Sequence, residues 1–244
     1  MKQKMQRALG FSWEGDFPFS LPQADSVASS VRIFKQNLAS ITWHSMTTLE
    51  NNPTSLPQTE TILKGQSVSG IGIDDLMQVK NYGDGARLLI AMFEDATFAL
   101  DGQTACALHN QVGREEALTW GAFRNSQVNI VEVDYNPPHC DLLPDLAERG
   151  FAFLNASIAS PVERAFATFL FMARSQFFHD ANKRTASLMM NGVLLQNAYY
   201  PATIKNSNSE EFHTTLRQFY NSGDASAMMR FFAKSAQELY PPQP

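Results

Sequence analysis

The stretch Gln176-Phe177-Phe178-His179-Asp180-Ala181-Asn182-Lys183-Arg184-Thr185-Ala186-Ser187 decides how this chain is read. Before it, Ala165, Phe166, Phe169, Met172 and Ala173 recur at helical spacing, and after it Ala186, Met189, Met190, Val193 and Leu194 do the same. Two helices that bury apolar faces, joined by a short loop, are therefore expected. The pair Met189-Met190 belongs to core packing rather than to a ligand surface. The loop itself is chemically unusual. Lys183 and Arg184 stand in the first turn of a helix, where cations oppose the helix dipole at a cost of about 0.3–1 kcal/mol each. A bound phosphate removes that conflict, because a helix N-terminus is itself an anion site. Small Ala181 lets a phosphate approach the backbone, Asn182 can donate from its side chain, and Asp180 can hold Mg²⁺, which prefers one or two carboxylates plus phosphate oxygens. The plainer alternative is a helix capped by Asp180 or Asn182 with two solvated cations. The residues alone leave both readings open.

Working outward, helices are expected over residues 141–155, 161–176, 182–198, 209–221 and 225–237, with Pro161 suited to a first helical turn. Upstream, residues 8–25 read as an irregular arm, and 26–50 as one helix with Val27, Val31, Phe34, Leu38 and Ile41 on its apolar face. Asn51-Asn52-Pro53 stops it. A connector with a short helix near 57–64 follows, then a helix from Asp74 to about Phe93 and another over 103–118. From Gly121 to Val131 the β-branched alternation suggests an extended hairpin, which Asn136-Pro137-Pro138 ends. The fold class expected is mostly α with one small β-hairpin.

Composition narrows the function. Hydrophobic residues make up 44% and charged residues 18%, so a sizeable core is expected. The net charge is -5 and the longest basic cluster is Lys183-Arg184, which argues against nucleic acid as a partner. Cys106 and Cys140 read as reduced thiols; His139 and Cys140 are adjacent, but neighbours chelate poorly, and no four-ligand zinc spacing is visible. No apolar core follows the basic residues 1–7, and no apolar run of roughly 18 residues exists. A cytoplasmic protein without a membrane span is expected, and homo-oligomerisation is left open.

The loop also resembles the signature of the Fic family, His-x-Phe-x-(Asp/Glu)-(Gly/Ala)-Asn-(Gly/Lys)-Arg. Phe178, Asp180, Ala181, Asn182, Lys183 and Arg184 match in register, between two helices as in the family. Asn-Lys-Arg-Thr-Ala looks like the Doc branch. Gly121, Arg124, Val128 and Ile130 look like the family's flap hairpin, where an extended target segment docks by strand addition. Residues 219–224 resemble a C-terminal family pattern, and Glu50-Asn51-Asn52 resembles the end of the family's inhibitory helix. The resemblance covers about residues 40–235. It implies a Fic-type helical bundle, divided into an arm and inhibitory helix with connector over 1–70 and a core domain over 71–240. It also implies ATP and Mg²⁺ as ligands, a target protein at the flap, Asp180 as metal ligand, and Asn182, Arg184 and the loop N–H groups around Ala181 as phosphate ligands, with Lys183 assisting.

Two positions depart from the pattern. Gln176 occupies the place of the family's catalytic His, and a primary amide accepts no proton usefully near neutral pH. His179, three residues on, is the candidate substitute base; His44, His109, His139 and His213 carry no motif support. The family's inhibitory Glu pairs with a second Arg three residues past the motif Arg, but here that residue is Ser187. Met46 stands where the inhibitory Ser/Thr is expected. Three functions stay in play: AMP transfer to a protein hydroxyl with weak or absent turnover, a non-catalytic module that binds nucleotide or protein, and Doc-like γ-phosphoryl transfer.

Overall fold

The computed structural model describes residues 1–241. Among them are eleven α-helices: α1 (Lys2–Leu9), α2 (Val27–Gln36), α3 (Leu38–Glu50), α4 (Leu56–Leu63), α5 (Ile73–Glu94), α6 (Gly102–Val112), α7 (Leu143–Ser157), α8 (Pro161–Ser175), α9 (Asn182–Gln196), α10 (Ser209–Ser222) and α11 (Ser226–Leu239). The axis of the molecule is the α8–α9 pair. Thirteen of the fifteen residues of α9 are buried, so other helices enclose it on every side. α8 is capped by Ser160, whose hydroxyl accepts from the Glu163 N–H at 3.3 Å, and it starts on Pro161. Glu163 also accepts a 2.6 Å hydrogen bond from Trp13 Nε1, which ties the N-terminal arm to the start of α8.

α5 approaches α6 and α9 closely, and Gly85 permits it. A Cβ there would stand 2.6 Å from Val112 Cγ2 and 2.9 Å from Leu188 Cδ1. A larger residue at Gly85 would force these helices apart. One hydrophobic core runs from Met5 to Ala236, so α1 to α4 pack into the same interior as the signature helices.

Two expectations change. The hairpin over 121–131 is not formed: among the described residues this segment holds turns and bends, and the only β-pairings are isolated bridges at Ser12–Asp224 and Gln23–Tyr199. Its polar groups bond elsewhere. The Arg124 N–H donates to Phe177 O at 2.9 Å, the Gly121 N–H to His109 Nδ1 at 3.1 Å, and Gln127 Nε2 to Pro137 O at 2.9 Å. No partner strand is needed once such anchors satisfy the backbone. Second, the single helix over 26–50 is two. Asn37 breaks it, with φ near -99° and ψ near 11°, while its Nδ2 donates to Ile33 O at 2.9 Å. A side-chain amide that competes for a helical carbonyl ends the first helix and restarts the chain. The basic N-terminus, for which no element is expected from the sequence, is helical as α1, anchored by buried Met5 and Leu9. By contrast α4 begins as its sequence suggests, with a capping box between Ser55 and Gln58.

Candidate functional site

α8 ends at Gln176, whose left-handed backbone (φ 47°) turns the chain into the signature loop. The loop folds inward on itself. Asn182 Oδ1 accepts from the Phe178 N–H at 2.9 Å, and Asn182 Nδ2 donates to Phe178 O at 2.8 Å and to Gln176 Oε1 at 3.1 Å. Asn182 is buried, so its side chain staples the loop and its donors are already used. This corrects the expectation that its amide is free for a phosphate, because both Nδ2 hydrogens are engaged by loop oxygens. Gln176 Nε2 donates to Ala173 O at 2.7 Å, so its amide too is satisfied internally.

Ala181 takes φ 58° and leads into α9 with no side chain capping the helix. The first-turn N–H groups are thus left to the cleft in front of them. Asp180 lies at the mouth. Its Oδ1 accepts from the Ala181 N–H at 2.5 Å, and its side chain is 58% exposed, so carboxylate oxygen remains for a hard cation.

Arg184 is the most enclosed charge in the site, with a side chain 1% exposed. Its guanidinium donates to Glu116 Oε1 at 2.8 Å, and its Nη2 lies 3.4 Å from Asp180 Oδ1. Glu50 Oε1 stands 3.3 Å from Nε without the alignment of a hydrogen bond, so this pair is coulombic. Burial alone would lower the pKa of Arg184, but Glu50, then Glu116 and Asp180, outweigh it and hold the value above the ordinary one. Glu50 also reaches Lys183, at 3.8 Å. The end of α3 therefore inserts a carboxylate between the two signature cations. Asn51 ends that helix in a left-handed conformation and lines the same cleft.

Ser187, where a second Arg was expected, joins a different network. Tyr82 Oη lies 3.1 Å from Ser187 Oγ and 3.0 Å from Ser45 Oγ, so α3, α5 and α9 are linked by buried hydroxyls.

The cleft measures about 530 Å³, within the range of small-molecule sites. It is lined by Glu50, by Gln176, His179, Asp180, Asn182 and Lys183 of the signature segment, and by residues 129–133 and α10. Ile130 therefore faces the site. Val128 and Gly121 do not line it, and Arg124 is buried beneath it. Arg124 acts as a clamp: Nε donates to Gln176 O at 2.6 Å, Nη1 to Ser126 O at 2.8 Å, and Nη2 to Pro138 O. His179 faces Asn125, with Nε2 3.3 Å from Asn125 Oδ1.

Two residues of the site carried no signal in the sequence. His109 stacks on Phe178, with centroids 3.8 Å apart and planes 5° apart. Its Nδ1 accepts from the Gly121 N–H, which leaves the proton on Nε2, 3.2 Å from Asp180 O. Burial pushes its pKa down to about 4, so the ring is neutral and the link holds without charge. Glu116 is the second. Both lie about seventy residues before their partners, and no local pattern marks such pairs.

Comparison with known proteins bears on the fold. Residues 99–194 match the profile of the Fic/DOC family. A protein adenylyltransferase Fic of Aedes aegypti is 27% identical over 188 residues, covering 76% of this chain and 38% of that protein, so the chain spans well under half of such relatives. Fic-1 of C. elegans superposes with a TM-score of 0.74 at 21% identity, over 85% of this chain and 64% of that one. IbpAFic2 covalently tethered to Cdc42 superposes with a TM-score of 0.57 at 15% identity, over 97% of this chain and 69% of that one. Among the described residues no helix is long and apolar enough to cross a membrane.

Proposed function

The chain belongs to the Fic family, and from that premise we propose that its cleft binds ATP with Mg²⁺ and transfers AMP slowly to a hydroxyl of a target protein. One observation carries this reading. A carboxylate, Glu50, lies between Lys183 and Arg184 at an uncapped helix N-terminus, in a cleft of nucleotide size. The site already holds an anionic group where a phosphate would sit. The open carboxylate of Asp180 suits Mg²⁺, which would neutralise phosphate charge there.

In the transfer, the target hydroxyl oxygen bonds to the α-phosphorus, and the bond to the β-phosphate breaks with its electron pair on pyrophosphate. Lys183, Arg184 and the first-turn N–H groups stabilise that charge. The hydroxyl proton needs an acceptor. Gln176 supplies none, and its amide positions Asn182 instead. His179 or solvent must take the proton, which is why turnover is slow. Residues 129–133, opposite the signature loop, are the surface on which the target would lie, in keeping with a relative tethered to Cdc42. The division at residue 70 then has meaning: Glu50 of the first part blocks the site of the second. An ATP-consuming reaction and two free thiols suit a cytoplasmic setting.

The internal bonding of Gln176 favours one alternative, nucleotide binding without turnover. Incubation with a cell lysate and ATP labelled on the α or γ phosphate separates these readings. Slow α-label transfer by the wild type is expected, stronger with Glu50→Gly and stronger by about 10²–10⁴-fold with Gln176→His. No transfer by any of the three, while ATP still raises the melting temperature, leaves a binding module. Transfer of the γ-label alone would show phosphoryl transfer instead.

A further inference from the structure

A second site lies at the base of the flap, where residues 113–139 rejoin the helical body. His139 precedes a single 3₁₀ turn over Cys140–Leu142 that leads into α7. In sequence, three adjacent residues do not promise a chelate. The turn changes that, because it brings the side chains of His139, Cys140 and Asp141 back over one another, with one ligand atom from each within 4.8 Å of the others. His139 Nδ1 stands 3.3 Å from Asp141 Oδ2 and 3.9 Å from Cys140 Sγ, and Cys140 Sγ stands 3.8 Å from Asp141 Oδ1.

We propose that His139, Cys140 and Asp141 form an open three-ligand site for a thiophilic divalent cation of the Zn²⁺ class. The distances fit. Around tetrahedral zinc, with Zn–S of about 2.3 Å and Zn–N and Zn–O of about 2.0–2.1 Å, neighbouring ligand atoms stand roughly 3.3–3.6 Å apart. The nitrogen–oxygen pair, through Asp141 Oδ2, already has that spacing; Cys140 Sγ stands about 0.3 Å beyond it from His139 Nδ1 and from the other carboxylate oxygen, Oδ1, so a turn of the Asp141 carboxylate is needed to bring one oxygen to both. His139 Nδ1 accepts a long 3.4 Å hydrogen bond from the Asp141 N–H, which puts the ring proton on Nε2; a bound cation would take over that one lone pair in place of the long bond. Charge fits: binding expels the thiol proton, and a thiolate and a carboxylate then match a divalent ion. No side-chain hydrogen bond or ion pair ties these three groups to any other part of the described chain. The His139 and Asp141 side chains are 62% and 84% exposed, so ion entry is unhindered and a water can complete the tetrahedron. The mixed nitrogen, sulfur and oxygen donors select against Mg²⁺, so this site and Asp180 would take different metals. The inference stands apart from the nucleotide reading, since no residue is shared.

Its setting gives the site a structural consequence. Pro138, the residue before the cluster, accepts from Arg124, and Pro137 accepts from Gln127. A metal bound at 139–141 would fix the point at which the flap rejoins the body.

Titration of the reduced full-length chain with Co²⁺ tests the site. Expected are tetrahedral cobalt d–d bands and a thiolate-to-cobalt charge-transfer band that saturate at one equivalent, with Zn²⁺ displacing the signal and excess Mg²⁺ leaving it. Cys140→Ser should abolish the charge-transfer band, Asp141→Asn should weaken Co²⁺ binding by on the order of tenfold or more, and Cys106→Ser should change neither. A titration without a saturable band overturns the proposal. So does a band that survives Cys140→Ser or vanishes with Cys106→Ser.

Discussion

The signature loop and the flap segment line one cleft, yet they are built in opposite ways. The loop, residues 176–181, sits between two long helices, and Asn182 closes it through hydrogen bonds to its own near neighbours. The flap runs from Gly113 to His139 with no regular helix or strand. It is held from outside: Arg124 pins it to the loop, Tyr135 lies 3.7 Å under the Arg174 guanidinium, the Asp134 N–H donates to Asn221 Oδ1, and Glu132 pairs with Arg217. Local chemistry makes the first region and distant partners make the second. On the function proposed above, a self-closed loop and a tethered strip of backbone would suit a site that fixes one reactant and receives a second of variable sequence.

The largest effect should come from breaking the loop side. Arg184→Ala leaves Glu116 and Asp180 without their cation and Glu50 with only Lys183, 3.8 Å away, and loss of one partner of a buried ion cluster typically costs about 3–5 kcal/mol. Urea denaturation would measure it; a loss below about 1 kcal/mol would mean that the cluster is dispensable.

The stitch between the two regions should come next. His109 is buried neutral, with a pKa pushed down to about 4. Below the unfolded value of about 6.5 the unfolded chain takes up a proton that the native ring refuses. This contribution to stability is therefore complete above pH 6.5 and is lost as the pH falls toward 4, by at most about 1.4 kcal/mol per pH unit. His109→Gln should flatten that part of the pH–stability curve. An unchanged slope would show that the ring does not resist protonation.

A smaller and more local effect should follow from breaking the flap side. Arg124→Ala leaves the carbonyls of Gln176, Ser126 and Pro138 without their donor, at about 1–3 kcal/mol if water does not replace it. Limited proteolysis should then cut within residues 121–139 well before it cuts α8 or α9. Cleavage spread evenly over the chain would contradict the division into a self-closed loop and a tethered flap.

The same division explains what the sequence disclosed. The helices around the loop were legible within a few residues because their apolar period and Pro161 are local signals. The placement of Lys183 and Arg184 in the first turn of α9 was legible for the same reason. The flap was misread because alternating side chains resemble a strand, whereas Arg124 and the carbonyls it fills are joined only after folding. Asn37 hid inside a helical pattern whose period continues across it. His109 and Glu116 had no local pattern, and the chelating arrangement at 139–141 depends on a single turn that adjacency in sequence does not reveal.

The central claim is that Glu50 stands where a nucleotide phosphate belongs. Isothermal titration of ATP with Mg²⁺ into the wild type and into Glu50→Gln tests it most directly, since the amide keeps the shape and removes the charge. The account predicts a Kd lower by about tenfold or more in the variant, equivalent to about 1.4 kcal/mol. An unchanged Kd, or no binding by either protein, would contradict it.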